Sequence, residues 1–487
     1  MDTITNGYAT DVLSCPGGYI VYGGVNDSIS PYYFRFYIMK TDSFGNRVWV
    51  KSYGKREYNY DYFLPDAGGS LAKVPWGGGY IGTGYIADSS NSWYKALLIR
   101  FDNNGDTLWT KTFTDTITNE LLGWFIKPGK NHKYIIGCAQ ANYNVITYQY
   151  RIVLIETDSN GKKLWGKIYN TISPTYQQLM GIDTCKDGGF ILSEMQYDST
   201  YRCGRQIVIT KVDSLGNVQW SRTIPNPECN NFPGGVASLK DGGFVICGSW
   251  DTKNPLVYPM LEDPVMFMRK YSATGNQVWS REYSLTGGIS LAIPIELSNG
   301  DILACGSGGG DSINFAYQGG AILKTDSNGN QKWLRYYEKF YSNYPYPEPE
   351  YLVNIKPTHD GGYVSCGYTY GKYTYSWVVK VDSNGCDTIG CKDTLGVTGI
   401  AEVRENSNKI TLYPNPNNGK FTVSLQNVSE KTQIFVYNIL GEQVYQSSLN
   451  ETNTQIDLSN KAEGLYLYRV ITVTGELVGE GKFVIEK

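Results

Sequence analysis

An eight-residue stretch, Asp326-Ser327-Asn328-Gly329-Asn330-Gln331-Lys332-Trp333, returns along most of the chain at a nearly constant interval. That periodicity constrains the fold more than any other feature. Earlier copies read DSFGNRVW (42–49), DNNGDTLW (102–109), DSNGKKLW (158–165), DSLGNVQW (213–220) and SATGNQVW (272–279), and a seventh, DSNGC (382–386), lacks the Trp. Successive Trp residues, from Trp49 to Trp333, are 60, 56, 55, 59 and 54 positions apart. The step is too long for a solenoid coil and suits a generously looped four-stranded sheet.

Asp and Ser at the start of the marker bond backbone two residues on, and Gly supplies the positive φ of a tight turn, so the marker is a hairpin. An apolar strand precedes it, as in Ala96 to Phe101, and a strand opening with Trp follows, as in Trp109 to Phe113. A Trp recurring once per repeat is expected to pack between neighbouring repeats. A second marker falls in between: GGYIVYG (17–23), GGYIGTG (78–84), KYIIG (133–137), GGFILSE (188–194), GGFVICG (242–248), DILACG (301–306) and GGYVSCG (361–367). A loose strand precedes each, and Asp-Gly-Gly is a hairpin signal. Each repeat therefore reads as the Trp strand, a loose strand, the GGY strand and the strand before the next marker. Seven such repeats over 1–392 predict an all-β, seven-bladed β-propeller. Because the chain opens on a loose strand, the segment after DSNGC is expected to complete the first blade and remove an exposed edge.

Composition agrees with strands and turns: 55 Gly, 41 Tyr and 11 Trp in 487 residues. A net charge of −3 gives no global field for nucleic acid or an anionic membrane. No apolar run approaches 18 residues, so no transmembrane helix is expected. The first residues lack the basic and apolar regions of a secretory signal. Asp2 to Asn6 repeats the mid-array DTITN of 115–119, so a leader removed or a start further upstream is expected. Of ten Cys, Cys247, Cys305 and Cys366 share one repeat position and read as small core residues. Cys386 with Cys391 is a short disulfide candidate, and Cys203 with Cys229 a weaker one.

Residues 393–408 carry no marker and read as a linker. From 409 to 487 short alternating strands, such as Gly419 to Leu425 and Thr432 to Tyr437, predict a small Ig-like β-sandwich. Three ordered motifs lie here: LYPNPNNGKFTVSL (412–425), IFVYNILGEQVYQ (434–446) and GLYLYRVITVTGELVGEGKFVI (464–485). Together they resemble the type A C-terminal sorting domain of type IX secretion cargo from Bacteroidota. The matching positions are Tyr413, Pro414, Asn415, Pro416 and Gly419, then Gly441, then Gly464 and Tyr466. The resemblance implies export, handling by the type IX translocon and sorting machinery, and an extracellular or outer cell-surface location. The structural reading stands beside it: two prolines withhold N–H donors, and Asn415, Asn417, Asn418 and Gly419 favour a turn.

Chemistry is sparse. DNNGD (102–106) lacks the bidentate Glu of a calcium loop, and no metal cluster is expected. The marker is similar to the DxxxGxxxW of pyrroloquinoline-quinone propellers, but the vicinal cysteine pair of those enzymes is missing, so the likeness implies the shape and no cofactor. His132 and His359 both fall in turns, and no carboxylate pair stands out. What remains is tyrosine between strands: Tyr60 and Tyr62, then Tyr341, Tyr344 and Tyr346, then Tyr370 and Tyr373. Loops of a propeller gather on its faces, where rigid aromatic side chains stack on sugars or anchor protein partners. The expectation is a monomeric binding protein for a glycan or surface protein, with a polysaccharide-acting enzyme or a structural surface protein as alternatives.

Overall fold

A computed structural model of the chain describes residues 7–26, 34–53, 70–87, 94–114, 120–142, 149–169, 177–197, 205–224, 231–251, 264–283, 290–308, 319–337, 350–369, 374–387, 410–425, 432–438, 442–449, 451–472 and 477–486. Its regular structure is all strand, and the chain divides into two compact units, a large one ending near 399 and a smaller C-terminal one.

The large unit is a propeller-like array of antiparallel sheets formed in chain order, six with four strands and a last one with three among the described residues. Sheet 1 comprises β1 (Gly7–Cys15), β2 (Gly18–Asn26), β3 (Phe34–Asp42) and β4 (Arg47–Tyr53), each paired with the next. The sheet boundary corrects one expectation. The Trp strand is the outermost strand of the sheet whose marker precedes it, because the marker hairpin pairs Lys40 with Trp49 and, in sheet 6, Lys324 with Trp333. Sheet 1 therefore has its four strands within 7–53, so the first blade does not need the segment after DSNGC to complete it as expected.

The marker turn forms as its residues dictate. Asp326 Oδ1 accepts the Asn328 and Asn330 backbone N–H at 2.9 and 2.8 Å, its other oxygen accepts Asn330 Nδ2 at 2.8 Å, and Gly329 takes φ of 77°. These bonds, the Asn330 side chain first, hold the Asp326 carboxyl below the usual range. A carboxylate so occupied makes a turn, as the hairpin reading expects.

The first strands of the sheets are Gly7–Cys15, Leu71–Lys73, Leu121–Pro128, Gln177–Thr184, Asn231–Ser238, Ser290–Glu296 and Glu350–Pro357. Each touches the next, and the last touches the first, so they surround one axis. Gly7 N donates to Thr374 O at 3.0 Å, the Tyr37 and Ser376 hydroxyls share a 2.9 Å hydrogen bond, and Asn354 Nδ2 donates to Asp11 Oδ1 at 2.6 Å. Side-chain and backbone bonds between sheets 1 and 7 thus close the circuit that a shared strand was expected to close.

The junctions between sheets carry the repeat. A Cβ on marker Gly105 would lie 2.5 Å from the Trp49 ring of the preceding sheet. The same relation joins Gly161 to Trp109, Gly216 to Trp165, Gly275 to Trp220, Gly329 to Trp279 and Gly385 to Trp333. Glycine leaves the volume that the neighbouring indole fills, so marker and Trp are two halves of one contact. Between the sheets lie buried aliphatic and aromatic layers such as Leu122, Trp124, Leu154, Leu179 and Leu192. Cys247, Cys305 and Cys366 are buried and free, as read from their shared position. Cys386 is disulfide-bonded to a partner outside the described residues, where Cys203, Cys229 and Cys391 all lie.

The C-terminal unit has two sheets. One joins Ile410–Tyr413, Lys420–Leu425 and Asn453–Asp457; the other orders Gln443–Leu449, Thr432–Tyr437, Gly464–Thr472 and Leu477–Ile485. Strict alternation buries Phe421, Val423 and Leu425 from one sheet against Ile434, Val436, Tyr466, Val470, Phe483 and Ile485 from the other. No helix of the described residues is long and apolar enough to cross a membrane.

Candidate functional site

The innermost strands share an irregularity that the repeat pattern did not reveal. Pairing with the second strand slips at Ala9/Asp11, Leu179/Gly181, Pro233/Val236, Leu291/Ile293 and Leu352/Asn354. The third innermost strand slips too, between Phe125 and Gly123, so a β-bulge in six strands re-aims the side chains around the axis. No turn residue marks the bulges, and the innermost strands are buried along most of their length, with no alternation from which a slip could be read. Two cavities of about 370 Å³ each lie on either side of the bulges.

The first cavity is lined by the bulged residues Met180, Gly234, Ala292 and Val353, together with Phe232, Pro233, Ser307, Tyr351 and Tyr368. Its walls are largely apolar and aromatic. The Tyr351 and Tyr368 rings are 5.4 Å apart, and Tyr8 meets Tyr368 edge-on at 5.3 Å. The Arg205 guanidinium stands 4.3 Å over the Phe232 ring. Gly306 completes the wall where a Cβ would come within 1.9 Å of Ser290 O, so glycine allows the two strands to close. Polar groups are few and placed, with the Ser290 and Ser307 hydroxyls among them, which is the composition of a small-molecule site. Candidate tyrosines Tyr60, Tyr62, Tyr341, Tyr344, Tyr346, Tyr370 and Tyr373 lie outside the described residues. The described strands on either side of them end at this same edge of the sheets.

Two carboxyls between the sheets were not picked out by sequence. Glu194 occupies the position that is Gly23, Gly84, Gly248, Gly306 and Gly367 in other repeats, a substitution visible in GGFILSE. It is fully buried, Gln196 Nε2 donates to one oxygen at 3.2 Å, and the other oxygen has no hydrogen-bond partner. Glu120, at the start of the third innermost strand, is 3% exposed and also has one unpartnered oxygen. Burial pushes each carboxyl up to about 7. His132 and His359 are exposed turn residues, the first 5.1 Å from the Trp76 ring. Among the described residues no His, Cys, Asp or Glu cluster is arranged to hold a metal ion.

In the C-terminal unit the first motif is a clasp on the last strand. Val484 N donates to Asn415 Oδ1 at 2.9 Å, Asn415 Nδ2 donates to Lys482 O at 3.2 Å, and Asn417 exchanges backbone bonds with Val484 and Glu486. Asn417 Oδ1 accepts Gly419 N at 2.8 Å, and Gly419, at φ of 93°, lies against Ser459 where a Cβ would be 2.6 Å from its Cα. Pro414 and Pro416, both preceded by cis peptides, add no N–H to be satisfied. Tyr466 is buried, stacks on Phe483 at 5.6 Å and donates to Ala462 O at 2.8 Å. Gly464 opens that strand opposite Ile485, and Tyr413 is half exposed. Five of the eight motif positions therefore lie in the clasp and two, Gly464 and Tyr466, beside it, while Gly441 lies outside the described residues.

A family model described as the secretion system C-terminal sorting domain matches residues 411–486. The C-terminal unit is a sorting domain. This sorting domain marks the protein as type IX secretion cargo, bound for the cell surface or the extracellular space. A curated relative, ulvan lyase NLR42 of Nonlabens ulvanivorans, is 40% identical over 78 residues, 16% of this chain and 14% of that protein. The match is about the length of the sorting domain, and the chain spans about one seventh of that relative. Among solved structures, polysaccharide lyase Uly1 gives a TM-score of 0.46 at 9% identity, covering 77% of this chain and 90% of that one. Virginiamycin B lyase from Staphylococcus aureus gives 0.40 at 13%, covering 77% and 94%.

Proposed function

We propose that the large unit is a seven-bladed β-propeller, residues 1–392, which binds a glycan in the aromatic cavity on its axis. An Ig-like sandwich, 409–487, follows a linker at 393–408 and delivers the propeller to the surface of a Bacteroidota cell. The reading is carried by the cavity: rigid rings of Phe232, Tyr351 and Tyr368 supply faces for the C–H surfaces of a sugar, and carbonyls and hydroxyls between them suit its hydroxyl groups. The tyrosines of 54–69, 338–349 and 370–373 would extend the same surface, and the chain would act as a monomer.

A glycan array with the full chain tests this, paired with a reducing-end assay on whatever binds. Binding without new reducing ends, weakened about tenfold or more by Tyr351→Ala or Phe232→Ala, supports the binding module. Binding that survives both substitutions contradicts the cavity. A second reading, an enzyme acting on polysaccharide, would draw on Glu120 and Glu194, whose raised carboxyls suit proton transfer although both are buried outside the lining of the two cavities. New reducing ends that disappear in Glu120→Gln or Glu194→Gln would establish that reading in place of the first. No glycan bound, with a surface protein captured at Tyr351 and Phe232, would assign the cavity to a protein ligand.

A further inference from the structure

The second axial cavity lies below the bulge level, toward the Asp-Gly-Gly turns, and its character is opposite to that of the first. Charged side chains from six of the innermost strands face it: Asp11, Lys73, Lys127, Asp183, Glu296 and Lys356. The three carboxylates are already committed. Asp11 is fully buried and accepts Val12 N and Leu71 N, both at 2.9 Å, and Asn354 Nδ2 at 2.6 Å. Asp183 pairs with Lys127 at 3.3 Å and accepts Ser238 N at 2.9 Å. Glu296 Oε2 accepts Lys240 N at 2.7 Å.

The ammonium groups are less well matched. Lys356 Nζ donates to Asn354 Oδ1 at 2.9 Å, an amide oxygen, and among the described residues it forms no ion pair with a carboxylate. An ammonium carries three N–H donors, and the half-buried Lys356 places one of them on a side-chain acceptor of the protein. Burial pushes the Lys356 amine down, Asp11 draws it back up, and the nearby Lys127 lowers it further. Lys356 and Lys127 thus share a space of about 370 Å³, and Lys73 reaches it from a third sheet.

We propose that this cavity binds a small oxyanion, the carboxylate, phosphate or sulfate group of a compact solute, with Lys356 as its principal ligand and Lys127 and Lys73 beside it. The anion gives the Lys356 ammonium a direct partner, which Asp11, Asp183 and Glu296 do not give it although they balance the three lysines in charge, and it bridges sheets 2, 3 and 7 across the axis. The site is independent of the aromatic cavity, which lies at the other end of the innermost strands, and glycan binding there neither requires nor reports it.

The test is titration calorimetry and thermal unfolding of the full chain with sodium phosphate, sodium sulfate and sodium acetate, each against sodium chloride at equal ionic strength. The expected result is saturable heat and a raised Tm with at least one of the three. Lys356→Met is expected to weaken that binding at least tenfold and Lys73→Met by a few fold, both with an unchanged circular dichroism spectrum. A response to all three salts equal to that of chloride overturns the proposal, and so does wild-type affinity in Lys356→Met. If Lys356→Met does not fold, Lys127→Met and Lys73→Met decide, and unchanged affinity in both overturns it.

Discussion

At the scale of residues, the repeat is a contact between a Trp, often a Tyr, and one glycine. The Trp that follows each marker covers the marker glycine of the next sheet, and four sheets add a Tyr four positions further on. The hydroxyls of Tyr169, Tyr283 and Tyr337 donate to Gly216 O at 2.8 Å, Gly329 O at 2.7 Å and Gly385 O at 2.6 Å, and Tyr53 donates likewise to Gly105 O. Replacing Tyr283 by Phe removes one such bond and leaves a buried carbonyl unpaired, so chemical denaturation should report a loss of about 1 kcal/mol. Glu194 gives a pH signature. Its folded carboxyl titrates near 7, above its ordinary value of 4.5, so the folded state holds the proton longer than the unfolded chain. Stability therefore falls as pH rises from about 4.5 to about 7, by roughly 3 kcal/mol for this group. Denaturation curves of Glu194→Gln should be flatter than wild type across that window, whereas curves that stay parallel to wild type would place the titration elsewhere.

At the scale of elements, what the sequence made legible was what turns and large side chains write into it. Asp-Ser-Asn-Gly and Asp-Gly-Gly fix hairpins through local hydrogen bonds, so the strands beside Asp326 and Asp241 were readable from the residues themselves. The sheet boundary was not, because adjacency along the chain does not say whether the Trp strand pairs backward with its marker partner or opens a new sheet. Only the register, Lys324 opposite Trp333, decides it. The bulges at Thr10, Met180, Ala292 and Val353 left no composition signal either, since a bulge is set by the axis packing of seven strands at once. The axial cavities follow from those bulges and were equally hidden, as was the exchange of Gly for Glu at 194. In the sorting domain, by contrast, the Pro and Asn of 413–419 were visible, and their purpose came with the register of the last strand. Asn415→Ala removes the acceptor of Val484 N and a donor to Lys482 O, both exposed bonds, a loss of about 0.5 to 1.5 kcal/mol locally. Faster hydrogen exchange at the Val484 amide, and less protein reaching the cell surface, are the expected outcomes.

At the scale of the whole molecule, every site in the large unit depends on the innermost strands meeting around one axis. Sheets that merely stacked would leave the two cavities open on one side and would separate Asp11 from Asn354, which are 343 residues apart in sequence. Closure also covers the apolar faces of the first and last sheets, packing Val12, Val21 and Met39 against Val353, Val364 and Cys366. Gly7 N donates to Thr374 O at 3.0 Å, so the two residues are neighbours across the junction of the first and last sheets. The most direct measurement is therefore oxidation of the full chain carrying Gly7→Cys and Thr374→Cys, with the new bond mapped by peptide mass spectrometry. The ring predicts near-complete cross-linking of positions 7 and 374 and a raised Tm relative to the reduced protein. A folded double variant in which those two cysteines stay reduced under the same oxidant would contradict it.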